Sequence, residues 1–152
     1  MPDADTQSLR GFIAQVEKSY PGEVLRIKEP VRTHLDMTSL VFELERMGRS
    51  PVVMFENVEG RDMPVVTNVA GNRKLLALAL GVDAHELPSA FRERCARYTP
   101  VEVVEKAAWQ EVTIEGDDVD LTRLPVPFHF EIDAAPYITA GQITARDPET
   151  GV

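Results

Sequence analysis

PVVMFENVEGRDMPVVTNVAGNRKLLALALGV, residues 51–82, combines the patterns from which an α/β unit is built. PVVMFE is a run rich in β-branched residues that ends in the turn NVEG, and PVVTNV is a second run of the same kind, so two strands are predicted. NRKLLALAL then forms a helix from Asn72 to Gly81, a residue type that ends helices in a left-handed conformation. Strand, turn, strand and helix in this order favour a mixed α/β domain.

The residues before this stretch extend the same pattern. SLRGFIAQVEKSY carries apolar residues at helical spacing and stops before Pro21-Gly22, which predicts a first helix. EVLRIKEP follows as a short strand. Asp36 is predicted to cap a second helix that ends near Gly48. The apolar stripe of that helix consists of Met37, Leu40, Val41, Leu44 and Met47.

The residues after it change in character. Asp83 to Tyr98 is predicted to be helical with a break or a fresh start at Pro88, and TPVE, residues 99–102, is a capping box that starts another short helix. WQEVTIEG and PYITAGQITAR are predicted strands, separated by an acidic, proline-rich loop. Residues 1–108 are therefore predicted to form an α/β domain, and residues 109–152 the opening strands of a second, all-β unit.

Composition and charge exclude several classes of function. The 152 residues carry a net charge of −9 with their basic residues dispersed, which disfavours nucleic acid and anionic membranes as partners. The single cysteine, Cys95, cannot form an internal disulfide. The longest apolar run, residues 75–82, is far shorter than the roughly 20 residues of a membrane span. With an acidic N-terminus unlike a leader peptide, the expectation is a soluble, cytoplasmic protein.

The last predicted strand raises the question of its partner. It runs into DPETG, residues 147–151, whose Asp, Pro and Gly predict a reverse turn. A strand of this kind presents unpaired backbone groups along one side, which proteins usually cover. We expect its partner to lie in a longer protein or in another chain; the alternative is an ordinary sheet edge followed by a loose tail.

Few residues suggest chemistry. HFEID, residues 129–133, would place His129, Glu131 and Asp133 on one face of a strand, where they could hold Zn or Mn, although any half-buried strand with a polar face shows the same pattern. His34 and His85 stand alone and are interpreted as ordinary surface or capping residues.

Two further features have ordinary interpretations beside functional ones. In VAGNRK, residues 69–74, backbone N–H groups could receive an anion, and Arg73 and Lys74 oppose the helix dipole unless an acidic group lies nearby. Cys95 between Arg94 and Arg97 could be a reactive thiolate, but a small residue packed on the inner side of a helix is favoured. No G-x-S-x-G elbow is present.

Three segments resemble the N-terminal portion of the UbiD family of reversible decarboxylases: GRSPVVMFENVEG, PVVTNVAGNRKLLALALGV and EGDDVDLTRLPVPFHFEIDAAPYITAGQITARDPETGV. The last is the most specific, with DL, LP-x-P, PYIT-x-G and DPETG. The resemblance implies an N-terminal α/β domain leading into a split β-barrel of the flavin-binding type. It also implies prenylated FMN as the cofactor, with Mn²⁺ and K⁺, and aromatic or α,β-unsaturated carboxylic acids as substrates.

The resemblance also limits what can be assigned to these residues. The family's metal-binding Asn, His and Glu and its Glu-Arg-Glu set would lie after Val152, so no catalytic or metal-binding residue is carried over, and His129, Glu131 and Asp133 are not those ligands. Only Thr139 resembles a position that lines the flavin and substrate pocket.

Three hypotheses about function follow. The first is the front piece or a subunit of a UbiD-type enzyme, inactive without its complement and oligomeric with it. The second is a non-catalytic module that completes a partner through an exposed β edge. The third is a small self-sufficient enzyme that uses His129 and its neighbouring carboxylates.

Overall fold

The computed structural model describes residues 8–97, 100, 103–107, 110–141 and 145–151. These described residues form four helices and three strands, followed by two short 3-10 turns. In chain order they are α1 (Leu9–Ser19), β1 (Val24–Ile27), α2 (Asp36–Arg46), β2 (Val52–Phe55), β3 (Val65–Thr67), α3 (Arg73–Leu80), α4 (Leu87–Cys95), and the 3-10 turns Gly116–Asp118 and Leu121–Arg123.

The three strands form one mixed sheet in the order β1-β2-β3. β1 runs parallel to β2, with Val24 opposite Val52, and β2 runs antiparallel to β3, with Val53 opposite Thr67. Because β2 lies between the other two strands, its apolar side chains are the most deeply buried of the sheet. The predicted α/β domain is confirmed at this level.

The core consists of two clusters on opposite faces of β2. Successive side chains of a strand point to opposite faces, so Val52 faces α1 and α3, whereas Val53 and Phe55 face α2. The first cluster contains Phe12, Ile13, Val16, Val52 and Leu75. The second contains Met37, Leu44, Val53, Phe55 and Val58. The unit is thus a thin sheet covered by helices on both sides.

The ends of the helices follow the sequence signals, with one exception. The side chain of Asn72 accepts a hydrogen bond from the backbone N–H of Lys74 at 3.1 Å, and Gly81 ends α3 with φ +63°. α4 starts at Leu87 with Pro88 in its first turn, which agrees with the fresh start expected at Pro88. The helix is shorter than predicted, because residues 84–86 form a turn and α4 ends at Cys95. The prediction that Asp36 caps α2 is wrong: Leu35 occupies the cap position, and Asp36 is the first helical residue.

The second half of the chain differs from its prediction. The described residues of WQEVTIEG and PYITAGQITAR form no strand, and the second segment turns at residues 139–140. A strand is stable only when its backbone groups pair with a neighbour, and the described residues supply none beside these segments. Residues 98–99, 101–102, 108–109, 142–144 and 152, with parts of the capping box and of both predicted strands, lie outside the described residues.

The predicted reverse turn near the end of the chain is confirmed. The Asp147 carboxylate accepts from the backbone N–H groups of Glu149 and Thr150 at 2.9 and 2.6 Å, and the Gly151 N–H donates to the Asp147 carbonyl oxygen. These hydrogen bonds to the ionised form hold the pKa of the Asp147 carboxyl below its ordinary value. Gly151 adopts φ +74°, which favours glycine at this place.

Candidate functional site

Residues 127–129 dock on the segment that leads into α2. The Phe128 N–H donates to the Thr33 carbonyl oxygen and the Leu35 N–H donates to the Phe128 carbonyl oxygen, both at 2.9 Å. The His34 ring stacks on the Phe128 ring, with 4.8 Å between their centroids. We refer to residues 33–38 and 127–129 together as the docking joint. It holds the second half of the chain against the α/β unit.

The docking joint contains a strained backbone position. Leu35 has φ +67° and ψ −32°, and the Asp36 N–H donates across it to the His34 carbonyl oxygen at 2.9 Å, so the chain makes a tight three-residue turn. A side chain with a branched γ carbon adopts this region rarely. Strain of this kind persists where surrounding contacts impose it, here the hydrogen bond to Phe128 and the neighbouring ion pair.

That ion pair joins Arg32 to Asp36. The Arg32 guanidinium donates from Nε and Nη2 to the two carboxylate oxygens at 2.9 and 2.8 Å, a bidentate geometry. The hydrogen bonds from Arg32 hold the pKa of the Asp36 carboxyl below its ordinary value, and His34 adds a smaller contribution of the same sign.

His129 connects α2 to the residues that follow the joint. Its Nδ1 lies 2.8 Å from the Thr38 Oγ1, and its Nε2 lies 3.2 Å from the Tyr137 carbonyl oxygen. A carbonyl oxygen can only accept, so Nε2 carries a proton; in the neutral ring, Nδ1 then accepts from the Thr38 hydroxyl. The Tyr137 ring lies 5.1 Å from the imidazole, centroid to centroid. Both ring nitrogens are thus engaged in holding protein atoms.

The metal hypothesis for HFEID is not supported by this geometry. Instead of a strand, the segment turns at Glu131 and Ile132, because the Asp133 carboxylate accepts from the Phe130 N–H at 2.8 Å and the Asp133 N–H donates back to the Phe130 carbonyl oxygen. His129, Glu131 and Asp133 therefore do not share one strand face. The prediction of a common face is wrong, since the local turn wins over an unpaired strand.

A different set of potential ligands meets at the start of α4. The ligand atoms of Asp83, His85 and Glu86 lie within 4.8 Å of one another, and all three residues are exposed. The sequence suggested that His85 stands alone, but the structure places it beside two carboxylates. The spacing D-x-H-E before a helix is the sequence signal that could have predicted this group. The Glu86 carboxylate accepts a hydrogen bond from the Asp83 N–H at 3.2 Å. This bond explains the proximity of the three residues as part of a loop turn.

The basic start of α3 has an acidic partner within the α/β unit. The Lys74 Nζ lies 2.6 Å from a Glu23 carboxylate oxygen and 5.3 Å from the centroid of the Tyr20 ring. The Asn72 amide also donates to Glu23 at 3.4 Å. Glu23 is thus the acidic group that the sequence required near this helix terminus.

Cys95 is exposed on α4, so the prediction that it packs on the inner side of a helix is wrong. α4 is a short helix whose buried contact is made by Leu87 at its other end. The last turn therefore extends beyond the core that the described residues form, and its cysteine lies in solvent.

A cleft opens beside the docking joint, between α2, β3 and the residues after the joint. It has a volume of about 200 Å³ and is lined by Met37, Thr38, Val41, Phe42, Val65, Thr67, Pro127, His129, Phe130, Tyr137 and Thr139. A second opening of about 530 Å³ continues along β3 and residues 137–140 and shares Thr139 with the first. The structure thus places Thr139 in a turn at the rim of both openings. The described residues that line them include no Lys or Arg.

Comparison with known proteins identifies the class. The model of the 3-octaprenyl-4-hydroxybenzoate carboxy-lyase N-terminal domain matches residues 17–95, and that of the Rift-related domain of the same carboxy-lyase matches residues 101–152. Because the first of these alone covers half of the chain, the chain belongs to the UbiD family.

Solved structures agree with this assignment. An evolved dimeric form of the UbiD-class enzyme HmfF from Pelotomaculum thermopropionicum, in complex with prFMN, matches with a TM-score of 0.81 and 32% identity over 96% of this chain and 34% of that one. HmfF in complex with FMN matches with 0.79 and 31% identity over 94% and 32%.

A third structure comes from another UbiD-class system. Vanillic acid decarboxylase ShVdcCD from Sedimentibacter hydroxybenzoicus, in an open form with truncated ShVdcD, matches with a TM-score of 0.75 and 30% identity over 87% of this chain and 30% of that one. The chain thus spans about a third of the length of these structures.

Among the described residues, every helix is too short or too polar to cross a bilayer.

Proposed function

We propose that these residues supply the N-terminal α/β domain and the first part of a split β-barrel in a UbiD-type reversible decarboxylase. Its substrates are aromatic or α,β-unsaturated carboxylic acids. The first domain comprises residues 1–108 and the barrel begins at residue 109. Two separate family models support a division into two units, although they change over earlier, between residues 95 and 101. The observation that carries the proposal is the cleft beside the docking joint, because it adjoins Thr139.

The chemistry of the cleft fits one wall of a flavin pocket. Its lining is mostly apolar and also includes His129 and four residues that carry a hydroxyl group, Thr38, Thr67, Tyr137 and Thr139, which suits the face of an aromatic ring system. It offers no cation for a phosphate among the described residues. We therefore expect the phosphate of prenylated FMN, together with Mn²⁺ and K⁺, to be held mainly by residues beyond this chain segment. Prenylated FMN supplies the electron sink for loss of CO₂, and the residues described here shape its surroundings.

The second half of the chain presents a surface suited to a protein partner. Ile132 is 94% exposed and Val112 is 77% exposed, and such side chains recur from residue 103 to residue 138. Apolar side chains in this number are usually covered in a functional assembly. The partner we propose is the remainder of a UbiD-type enzyme or a complementary subunit, which would also supply paired strands for the barrel.

The test is co-purification followed by spectroscopy. The chain is expressed with a tag in its native context, and the polypeptide that co-purifies with it is identified. The proposal expects a partner with the family's metal-binding and Glu-Arg-Glu residues, flavin absorbance in the complex, and release of CO₂ from an aromatic or α,β-unsaturated acid. A complex that carries these residues but neither flavin nor decarboxylase activity would contradict it.

A second candidate function is a non-catalytic assembly module that stabilises a partner. The same exposed apolar residues favour it, since they require a partner but no chemistry. It predicts a co-purifying protein without the metal-binding and Glu-Arg-Glu residues, and no flavin absorbance in the complex. The identity of the partner thus separates the two candidates.

A further inference from the structure

His129 is the one described residue whose side chain hydrogen-bonds both to α2 and to the backbone beside Thr139. One end of its ring meets the Thr38 Oγ1 at 2.8 Å and the other meets the Tyr137 carbonyl oxygen at 3.2 Å. Thr38 lies in the first turn of α2, a helix that is anchored in the core by Met37 and Leu44. The imidazole therefore connects a rigid element to a segment that has no regular secondary structure of its own.

The Tyr137 backbone is held on both sides of its residue. Its N–H donates to the Pro127 carbonyl oxygen at 3.2 Å, while its carbonyl oxygen accepts from His129. Pro127 and His129 both belong to the docking joint, so the backbone of Tyr137 is fixed relative to it. Thr139 lies two residues further along, at the rim of the cleft. A change in the position of Tyr137 would consequently move Thr139 and alter the shape of the cleft.

We propose that His129 is a positioning residue that fixes the backbone of Tyr137, and through it Thr139, against α2 at the cofactor-facing side of the cleft. This inference rests on the proposed function for its consequence, flavin affinity, but not for its structural content. The imidazole is suited to the task because it is planar and rigid, and because its two nitrogens point in different directions to an acceptor and to a hydroxyl. His129 does not itself take part in the chemistry.

Two conservative substitutions separate the two ends of the ring. In His129→Gln the terminal amide can reach the place of Nε2 and donate to the Tyr137 carbonyl oxygen, but the contact with Thr38 is lost. In His129→Asn the shorter amide can replace Nδ1 beside Thr38, but it cannot reach Tyr137. Thr38→Val is the third variant, since it removes the hydroxyl and keeps the shape of the side chain.

The first measurement is amide hydrogen exchange at Tyr137 in the full 152-residue chain, with circular dichroism as the control for folding. Loss of one hydrogen bond that holds this residue should raise exchange at Tyr137 about three- to tenfold in His129→Asn. His129→Gln should stay within about twofold of the wild type. Equal exchange in the two variants, or wild-type exchange in His129→Asn, would overturn the proposal. Should His129→Asn not fold, His129→Leu decides in its place, because it removes both hydrogen bonds of the ring: exchange at Tyr137 should rise about three- to tenfold, and wild-type exchange would refute the proposal. Thr38→Val, which loses only the contact with α2, should match His129→Gln.

The second measurement is the dissociation constant of FMN, followed by its fluorescence, in the complex of this chain with the polypeptide that co-purifies with it. The proposal expects weaker binding by about three- to tenfold for His129→Asn, and near-wild-type binding for His129→Gln. If the wild-type complex binds no FMN, the proposed function fails, while the exchange experiment still decides whether His129 positions Tyr137. Raised exchange with unchanged FMN affinity would overturn the link to the cofactor.

Discussion

The two regions of the chain, residues 9–95 and residues 103–141, differ in how far their apolar side chains are buried. In the first region Val16, Val52 and Phe55 are completely buried in clusters that the region itself provides. In the second region Val103 is 91% exposed, and Pro125 is the only one of its described residues that is buried. The first region is stabilised by its own core. The second region is held in place by the docking joint, and most of its large apolar side chains are exposed.

The largest effect is expected from damage to the core of the first region. Phe55→Ala removes a fully buried side chain between β2 and α2, and we expect a loss of about 3–5 kcal/mol in the free energy of unfolding. Ile132→Ala in the second region removes an exposed side chain and should stay within about 0.5 kcal/mol of the wild type. Urea denaturation followed by circular dichroism measures both. Similar losses in the two variants would show that the second region has a core of its own.

A smaller effect is expected at the turn that leads from β3 to α3. A Cβ at Gly71 would lie 1.8 Å from the Asn68 Oδ1, and the Asn68 amide is held by a 2.8 Å hydrogen bond to the Pro51 carbonyl oxygen. Gly71→Ala should therefore break that bond at the start of β2 and lower the free energy of unfolding by about 1–3 kcal/mol.

Gly141→Ala is the matched control in the second region. A Cβ at Gly141 makes only ordinary contacts, the nearest at 3.7 Å, so the free energy of unfolding should change little. If thermal denaturation shows equal effects for Gly71→Ala and Gly141→Ala, the contrast between a tightly packed first region and a loosely packed second region does not hold.

The exposed apolar residues give the third prediction, which concerns the partner. Ile132→Asp should leave the stability of the lone chain within about 0.5 kcal/mol of the wild type, because the side chain is in solvent. In the complex it should weaken binding by about tenfold or more if Ile132 is buried in the interface. Met47→Asp, at an exposed position of the first region, is the control and should not change the affinity. Pull-down titration or calorimetry compares the two, and equal affinities would place the interface elsewhere.

The sequence predicted the first region well because its signals are local. Runs of β-branched residues, Pro21-Gly22 and the terminal Gly81 act on the nearest neighbours of each residue, and the structure follows them. Asp36 is the exception. Its carboxylate had two competing uses, a helix cap and the bidentate contact with Arg32, and the stronger charge-assisted contact prevailed.

The second region was predicted poorly because a strand depends on a partner. PYITAGQITAR alternates like a strand, yet its described residues are held instead by the docking joint and by His129. The hydrogen bond between Thr38 and His129 joins residues that are 91 positions apart, and the periodicity of a sequence cannot predict such a contact. HFEID failed for the opposite reason, since Asp133 makes a local turn with Phe130 that alternation alone could not exclude.

The smallest effect is expected from acid at the docking joint, where the two regions meet. The pKa of Asp36 is lowered in the folded chain by Arg32, with a lesser contribution from His34. A group with a depressed pKa contributes stability that is present above its unfolded pKa of about 3.9 and is lost as the pH falls through the folded value. The wild type should therefore lose a small amount of stability below about pH 4 that Asp36→Asn lacks at every pH.

The measurement is thermal denaturation of both proteins between neutral pH and about pH 3, a range chosen to bracket the ordinary pKa of aspartate. The difference in melting temperature between wild type and Asp36→Asn should be largest near neutral pH and shrink as the carboxyl is protonated. Because the pair is largely exposed, added salt should reduce the difference as well. Asp147→Asn is the control at the end of the chain. The pKa of the Asp147 carboxyl is lowered by backbone N–H groups of a separate turn, so this substitution should leave hydrogen exchange at the Leu35 amide, which reports on the docking joint, as it is in the wild type. A difference in melting temperature that stays constant with pH would mean that the ionised Asp36 carboxylate does not contribute to the stability of the folded chain.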